Sequence, residues 1–310
     1  MLNYTFKRVI SGLVTIWFIA TATFMGMHAV PGDPLMSDKK VSPEIRKNLA
    51  IKYGLDKPVL SQYFIYLGNM LRGDFGISFT QKNRMVNDII REHFPVSAIL
   101  GVLAILFAAV GGILWGALTA LYRNKLPDIV IMFLVIFGVS VPGFVFAALA
   151  QIVIVTINKL SGTSILPVAG WGTIVHMLVP ALVLGLGTMA FLVRLMRSSM
   201  LEVVNSDYIR TAKSKGLSAT RIFFVHQLRN AVLPVITILG PAIAAITTGG
   251  FVVELVFAIP GLGRYFVEAV QQLDYTVIMG TTVFYGAFLV VMVTVVDIVY
   301  AYVDPRIRLQ

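Results

Sequence analysis

Val96 to Tyr122 reads VSAILGVLAILFAAVGGILWGALTALY, a run without one charged side chain. A helix rises about 1.5 Å per residue, so such a run crosses the roughly 30 Å hydrocarbon core of a bilayer. Five comparable runs flank it, at 9–30, 129–157, 174–193, 232–258 and 277–303. Only helices and closed barrels satisfy every backbone polar group in lipid. Barrel strands alternate apolar and polar residues, and these runs do not. The expected fold class is an all-α integral membrane protein with about six transmembrane helices.

Composition points the same way. The chain has 310 residues, 57% of them hydrophobic and 13% charged, where soluble domains carry about 25% charged residues. The formal charge of +10 is spread between apolar runs rather than over a solvated face, which argues for membrane orientation and against nucleic acid. There is no cysteine, which removes disulfides, thiolate metal sites and cysteine nucleophiles. His28 and His176 stand alone, and no pair of histidines or acids has ligand spacing, so no metal site is expected. Lys7 and Arg8 precede the first apolar run, which is longer than a signal-peptide core and is followed by no small-x-small cleavage site. It reads as an uncleaved first helix.

Short loops set orientation. With the N-terminus in the cytoplasm, Lys7, Arg8, Arg123, Lys125, Arg306 and Arg308 lie inside. So do Arg194, Arg197, Arg210, Lys213, Lys215, Arg221 and Arg229, while the two short outer loops keep only Lys159 and Arg264. That asymmetry is the one expected of cytoplasmic loops. Four parts follow: residues 1–30, the cytoplasmic end and first span; 31–95, an extracytoplasmic helical segment; 96–303, the transmembrane core; and 304–310, a cytoplasmic tail. Within 31–95, Ser42-Pro43-Glu44 starts a helix that Gly54 closes, a second helix runs from Pro58 to Leu71, and a short third covers Met85 to His93. Gly73-Asp74-Phe75-Gly76 is a turn. This segment reads either as a structural cap or as a docking surface for a solute-delivering protein.

Residues 194–231 join the fourth and fifth spans as a long, basic, patterned loop. Ser206 or Asp207 caps a short helix from Tyr208 to Lys215, which Gly216 terminates. Ser218 caps a second helix from Ala219 to Asn230, whose Ile222, Phe223, Val225 and Leu228 form one apolar face. A short capped helix beneath a membrane domain is a lever that a soluble partner could push; the plainer alternative is a positive-inside loop with incidental helices.

Here a resemblance becomes specific. Ser206-Asp207-Tyr208-Ile209-Arg210-Thr211-Ala212-Lys213-Ser214-Lys215-Gly216-Leu217, followed by Leu228-Arg229-Asn230-Ala231-Val232-Leu233-Pro234, resembles the EAA loop of ABC importer permeases, in their dipeptide and oligopeptide branch. Arg210 and Thr211 replace the first two residues of the general pattern, Ala212 and Gly216 keep it, and the interval from Gly216 to Pro234 is longer, as in the peptide branch. The likeness extends along the chain. Ala29-Val30-Pro31-Gly32-Asp33-Pro34, Tyr53-Gly54-Leu55-Asp56-Lys57-Pro58 and Gly73-Asp74-Phe75-Gly76-Ile77-Ser78 are similar to segments of the B-type subunit. Val253-Glu254-Leu255-Val256-Phe257, Ile259-Pro260-Gly261-Leu262-Gly263 and Asp304-Pro305-Arg306-Ile307-Arg308 complete the pattern.

The resemblance implies a type I ABC importer permease fold and an ATPase-coupling role for Asp207, Tyr208, Ile209, Arg210, Thr211, Ala212, Lys213, Lys215 and Gly216. It implies a homologous C-type permease, two cytoplasmic ATPases and an extracytoplasmic peptide-binding protein as partners, in a bacterial cell membrane. The chain has no phosphate loop. ATP and Mg are therefore expected in the ATPases, with no cofactor on this chain and no catalysis by it. Nickel, haem or opine import on the same architecture is the alternative, and a self-contained secondary transporter a distant one. Small and hydroxyl residues in the third and fifth spans, Ser140, Pro142, Gly240, Pro241, Thr247, Thr248, Gly249 and Gly250, either pack helices closely or line the pathway. Glu254, Arg264 and Asp297 are structural or gating candidates, with Glu254 pairing with Arg264 as the structural reading.

Overall fold

The computed structural model describes residues 2–29, 50–51, 54–81 and 84–303, the side chains of 2–5, 248–249 and 297–303 excepted. The described residues are helical apart from turns and one isolated antiparallel bridge, Ile77 to Met85. The helices are α1 Leu2–Ala29, α2 Val59–Leu71, α3 Val86–Leu121, α4 Leu126–Ser140, α5 Gly143–Ser161 and α6 Ile174–Val204. They continue as α7 Asp207–Ser214, α8 Ala219–Ala231, α9 Leu233–Gly249, α10 Phe251–Val256, α11 Leu262–Gln271 and α12 Tyr275–Val303. Five are long and apolar enough to cross a membrane, or six if α8 and α9, bent by 43° at their junction, count as one. The protein is thus an all-α, multi-pass membrane protein.

Three expectations need correction, each for a local reason. The third span is not one helix. Proline disfavours helical backbone at the residue before it; Val141 is extended at φ −94° and ψ 128°, and Pro142 starts α5 afresh. The separate helix from Met85 to His93 does not exist. Pro95 lies inside α3, which runs unbroken from Val86; membrane helices tolerate an interior proline where their surroundings satisfy the freed backbone groups. The fourth span does not stop at 193, because α6 continues through Arg194 and Arg197 to Val204. The stretch between the last two spans carries no element in the sequence reading. It holds α11, whose Leu262, Tyr265, Phe266 and Ala269 recur at helical spacing and pack inward. The helix expected from Pro58 to Leu71 is present as α2, behind Pro58. The helix expected at 42–54 lies largely outside the described residues.

Two compact units divide the described residues: those up to 97 with 260–294 form one, and 98–259 with 295–303 the other. The core of the first gathers Phe24 and Met27 of α1, Val86, Ile89 and Ile90 of α3, Leu262 and Ala269 of α11, and Tyr275 to Met279 of α12. One buried carboxylate organises its edge. Asp274, 1% exposed, caps α12 by accepting from Val277 N–H and Thr276 Oγ1. It also accepts from Ser78 Oγ, Phe79 N–H, Thr80 N–H and Thr80 Oγ1. Between α1 and α2, Thr21 meets Tyr63 and His28 Nε2 meets Gln62.

In the second unit α6 is central, with α4, α5, α8, α9 and α10 packed around it. Its approach to α3 is close because Gly112 and Gly116 carry no side chain. A Cβ at Gly112 would lie 2.5 Å from Leu192 Cβ, and one at Gly116 2.6 Å from Met196 Cβ. This is the small-residue packing that joins helices where lipid removes the hydrophobic drive. Leu192, Met196, Met200, Ala231 and Val235 continue that core towards α8 and α9.

Candidate functional site

The coupling candidate is α7 with its supports. Ile209 and Ala212 are buried with Ile222 of α8, and Val203 of α6 and Leu217 pack on them. A helix with so short an inward face needs firm ends. Its C-terminus has one: Gly216 takes φ 72°, its N–H reaches Lys213 O at 2.9 Å, and Leu217 N–H reaches Ala212 O at 3.3 Å. That pair of bonds is a Schellman close, satisfying carbonyls that the helix end leaves free. Leu217 then packs on the small core, as such a close favours.

The N-terminus differs from expectation. Ser206 holds the cap position, but its hydroxyl donates back to Val203 O at 2.6 Å and makes no cap bond. The last carbonyls of α6 lack helical partners and lie within its reach. Asp207 is the first helical residue rather than the cap; its charge favours the positive end of the helix. Tyr208, Arg210, Thr211, Lys213 and Lys215 face outward, giving a basic surface on one side of a rigid helix. The Asp207–Arg210 pair at 3.8 Å is nearly fully solvated, and such pairs contribute little.

Ser218 caps α8, accepting from Arg221 N–H at 3.4 Å. The expected α-helical face of α8 is not what forms, because Ile222–Leu228 is wound as a π-helix. The wider turn brings Gln227 under Ile222, so both are buried while Val225 is 47% exposed. Such insertions recur at functional sites. Asn230 donates to Tyr208 Oη at 3.2 Å, tying α8 to α7.

A contact not anticipated from the sequence joins α6 to α4. Arg197 of α6 grips Asp128 of α4 with two parallel bonds, Nε to Oδ1 and Nη2 to Oδ2, each 2.8 Å. Asp128 is 3% exposed. The signal was available as an acid at the start of an apolar helix and a cation inside one, but 69 residues separate them and no spacing rule joins them.

The pathway candidates separate by exposure. Ser140, Pro142 and Pro241 are exposed. Gly240 faces Val296 in a contact closer than a Cβ would permit, and Thr247 is buried with its hydroxyl on Ile243 O. Gly250 is buried at the break between α9 and α10, in ordinary contact with Leu184. Thr248, Gly249 and Asp297 have no described side chains. Glu254 is 1% exposed, and Arg264 bonds Glu268 in its own helix at 2.7 Å, which holds its guanidinium above the ordinary range. A Glu254–Arg264 pair would run between the two units and stays an expectation.

His28 bonds Phe24 O and Gln62, and His176 bonds Thr173 Oγ1. Among the described residues no three His, Cys, Asp or Glu gather as metal ligands. At the edge of the first unit, His93 stacks on Tyr265 with ring centroids 4.0 Å apart. Its Nδ1 faces Pro260 O and its Nε2 faces Arg84, so the proton belongs on Nδ1 and Nε2 accepts.

Residues 112–309 match the family described as binding-protein-dependent transport system inner membrane component, and residues 1–101 match the N-terminal family of the same membrane components. The chain is 45% identical to the dipeptide transport system permease protein DppB of Bacillus subtilis, over 100% of this chain and 99% of that protein. It is 43% identical to the oligopeptide transport system permease protein OppB of Haemophilus influenzae, over 99% of this chain and 100% of that one. Among solved structures, the inward-facing MetNI methionine ABC transporter aligns with a TM-score of 0.50 at 14% identity, over 69% of this chain and 94% of that chain. An amino acid ABC transporter aligns with a TM-score of 0.51 at 14% identity, over 71% of this chain and 95% of that chain. At that identity the likeness concerns the fold alone.

Proposed function

The chain belongs to the family of binding-protein-dependent transport system inner membrane components, and from that premise we propose that it is a permease subunit of an ATP-driven importer of dipeptides or oligopeptides. The observation that carries the coupling role is α7: a short helix closed at Gly216, seated on α6 and α8 by Ile209 and Ala212, with its basic face turned outward. A body so held passes a push to the membrane helices instead of absorbing it. The full-length likeness to dipeptide and oligopeptide permeases favours peptide over nickel, haem or opines.

On this reading the chain forms half of the translocation pathway beside a homologous C-type permease. Two cytoplasmic ATPases hold ATP and Mg and seat α7 through Asp207, Tyr208, Arg210, Thr211, Lys213 and Lys215; this chain binds neither cofactor and hydrolyses nothing. An extracytoplasmic binding protein delivers peptide to the segment 31–95, where α2 presents Leu60, Phe64 and Leu71, 66%, 62% and 83% exposed. Both termini lie in the cytoplasm of a bacterial cell. Closure of the ATPases on ATP moves α7 and opens the cavity outward, and hydrolysis resets it. Ser140, Pro142 and Pro241 line the cargo route.

The test is reconstitution of the tagged chain, with the subunits that co-purify with it, in proteoliposomes supplied with ATP. Labelled tripeptide uptake that requires ATP and a binding protein is the expected result. Uptake of nickel in its place, or peptide flux independent of ATP, overturns the reading.

A further inference from the structure

We propose that the Asp128–Arg197 pair is the positioning contact that carries movement of α6 and α7 to α4, so that the coupling element and α4 move as one body. The inference rests on the import reading above. A single ionic contact fixes a distance, whereas two parallel bonds from a planar guanidinium also fix an angle. Both bonds are 2.8 Å. Asp128 is 3% exposed while the Arg197 side chain keeps 25% of its surface, so water and salt weaken the contact less than they do between two fully exposed groups. The same carboxylate accepts Asn124 N–H at 2.9 Å. Asn124 holds φ 61°, a left-handed conformation that asparagine tolerates better than most residues. The turn after α3, the first turn of α4 and the body of α6 therefore meet at one side chain.

The rest of the α4–α6 seam supplies less direction. Val135, Ala190 and Val193 pack together with Ile131 and Met189. Beside them an apolar cavity of about 320 Å³, lined in part by Trp115, Leu134, Phe137, Phe146 and Leu186, leaves part of the seam open. Apolar side chains around such a space can slide; a two-bond ionic grip cannot. From Arg197 the helix continues unbroken to Val204, and Val203 is already part of the core that seats α7. The grip thus stands less than two turns from Val203, which packs against the residues that seat α7.

The experiment uses the complete transporter in lipid, with its co-purified ATPases. Because the chain has no cysteine, spin labels are placed at Leu126→Cys and Asn205→Cys, on α4 and at the end of α6. With Asp128 and Arg197 intact, the label distance should be the same with and without ATP. In Asp128→Asn it should broaden or shift with nucleotide. Peptide imported per ATP hydrolysed should fall by about tenfold, a size usual for coupling between linked sites, while ATPase recovery stays native. Arg197→Lys, which keeps the charge and loses the fork, should uncouple in the same way if Asp128→Asn fails to assemble.

Native distances and native peptide per ATP in both variants overturn the proposal. So does a joint fall of uptake, hydrolysis and assembly that Asp128→Asn/Arg197→Gln restores, since that pattern belongs to a buried charge needing only neutralisation. If the unsubstituted complex imports no peptide but the label distances respond as stated, the cargo assignment fails and the grip stands.

Discussion

Gly216 concentrates the demands on the loop proposed for coupling. Its φ of 72° is the region where a Cβ meets the following carbonyl, at about 1–2 kcal/mol for an ordinary residue. A Cβ there would meet nothing else within 4 Å, so the cost comes from the backbone alone. Gly216→Val should therefore loosen the close of α7 without disturbing insertion, reducing peptide uptake and ATPase recovery at matched expression. Gly216→Asn, a residue found at such closes, should retain most of both. Equal uptake from the valine variant, with full ATPase recovery, would remove α7 as the coupling element. Asp207→Ala should do less than Gly216→Val, because Asp207 makes no cap bond and its one ionic partner is solvated.

Helices in this protein are decided as much by what meets their ends as by their apolar runs. Asp274 shows this in the first unit, where a cap of α12 doubles as an anchor for residues 78–80. Removing a buried acceptor leaves its donors unsatisfied, at about 1–3 kcal/mol. Asp274→Ala should speed amide hydrogen exchange at Phe79 and Thr80 and lower thermal stability, with α7 unaffected. Unchanged exchange at those amides would show the anchor to be incidental. The apolar runs were legible because a helix needs only length and apolarity to enter lipid. Their breaks were less so. Pro95 and Pro142 look alike in sequence, yet one sits within a continuous helix and the other divides two. The two prolines differ in tertiary surroundings, which no local pattern records. The π-wound turn at 222–228 had no sequence signal at all, since its period arises from burying Gln227 beside Ile222.

For the molecule in its membrane, short-loop charge predicts that residues 31–95 face outward and 194–231 inward. The absence of cysteine allows a direct check at two exposed positions, Ser61 and Ser214. In cells with a permeable wall and intact membrane, an impermeant thiol reagent should label Ser61→Cys and leave Ser214→Cys unlabelled. The reverse pattern would invert the topology and place α7 out of reach of any cytoplasmic ATPase.

Local chemistry in the chain was enough to establish a multi-pass helical protein, the helix behind Pro58, the glycine close of α7 and the family likeness of residues 206–234. Each depends on residues within a few turns of one another. Contacts between distant segments were beyond it: Asp128 with Arg197, Asp274 with residues 78–80, and Gly112 and Gly116 against Leu192 and Met196. A carboxylate or a glycine has the same local pattern whether it faces lipid, water or a partner. Only folding brings the partner within bonding distance, and there burial makes one geometry much better than the rest.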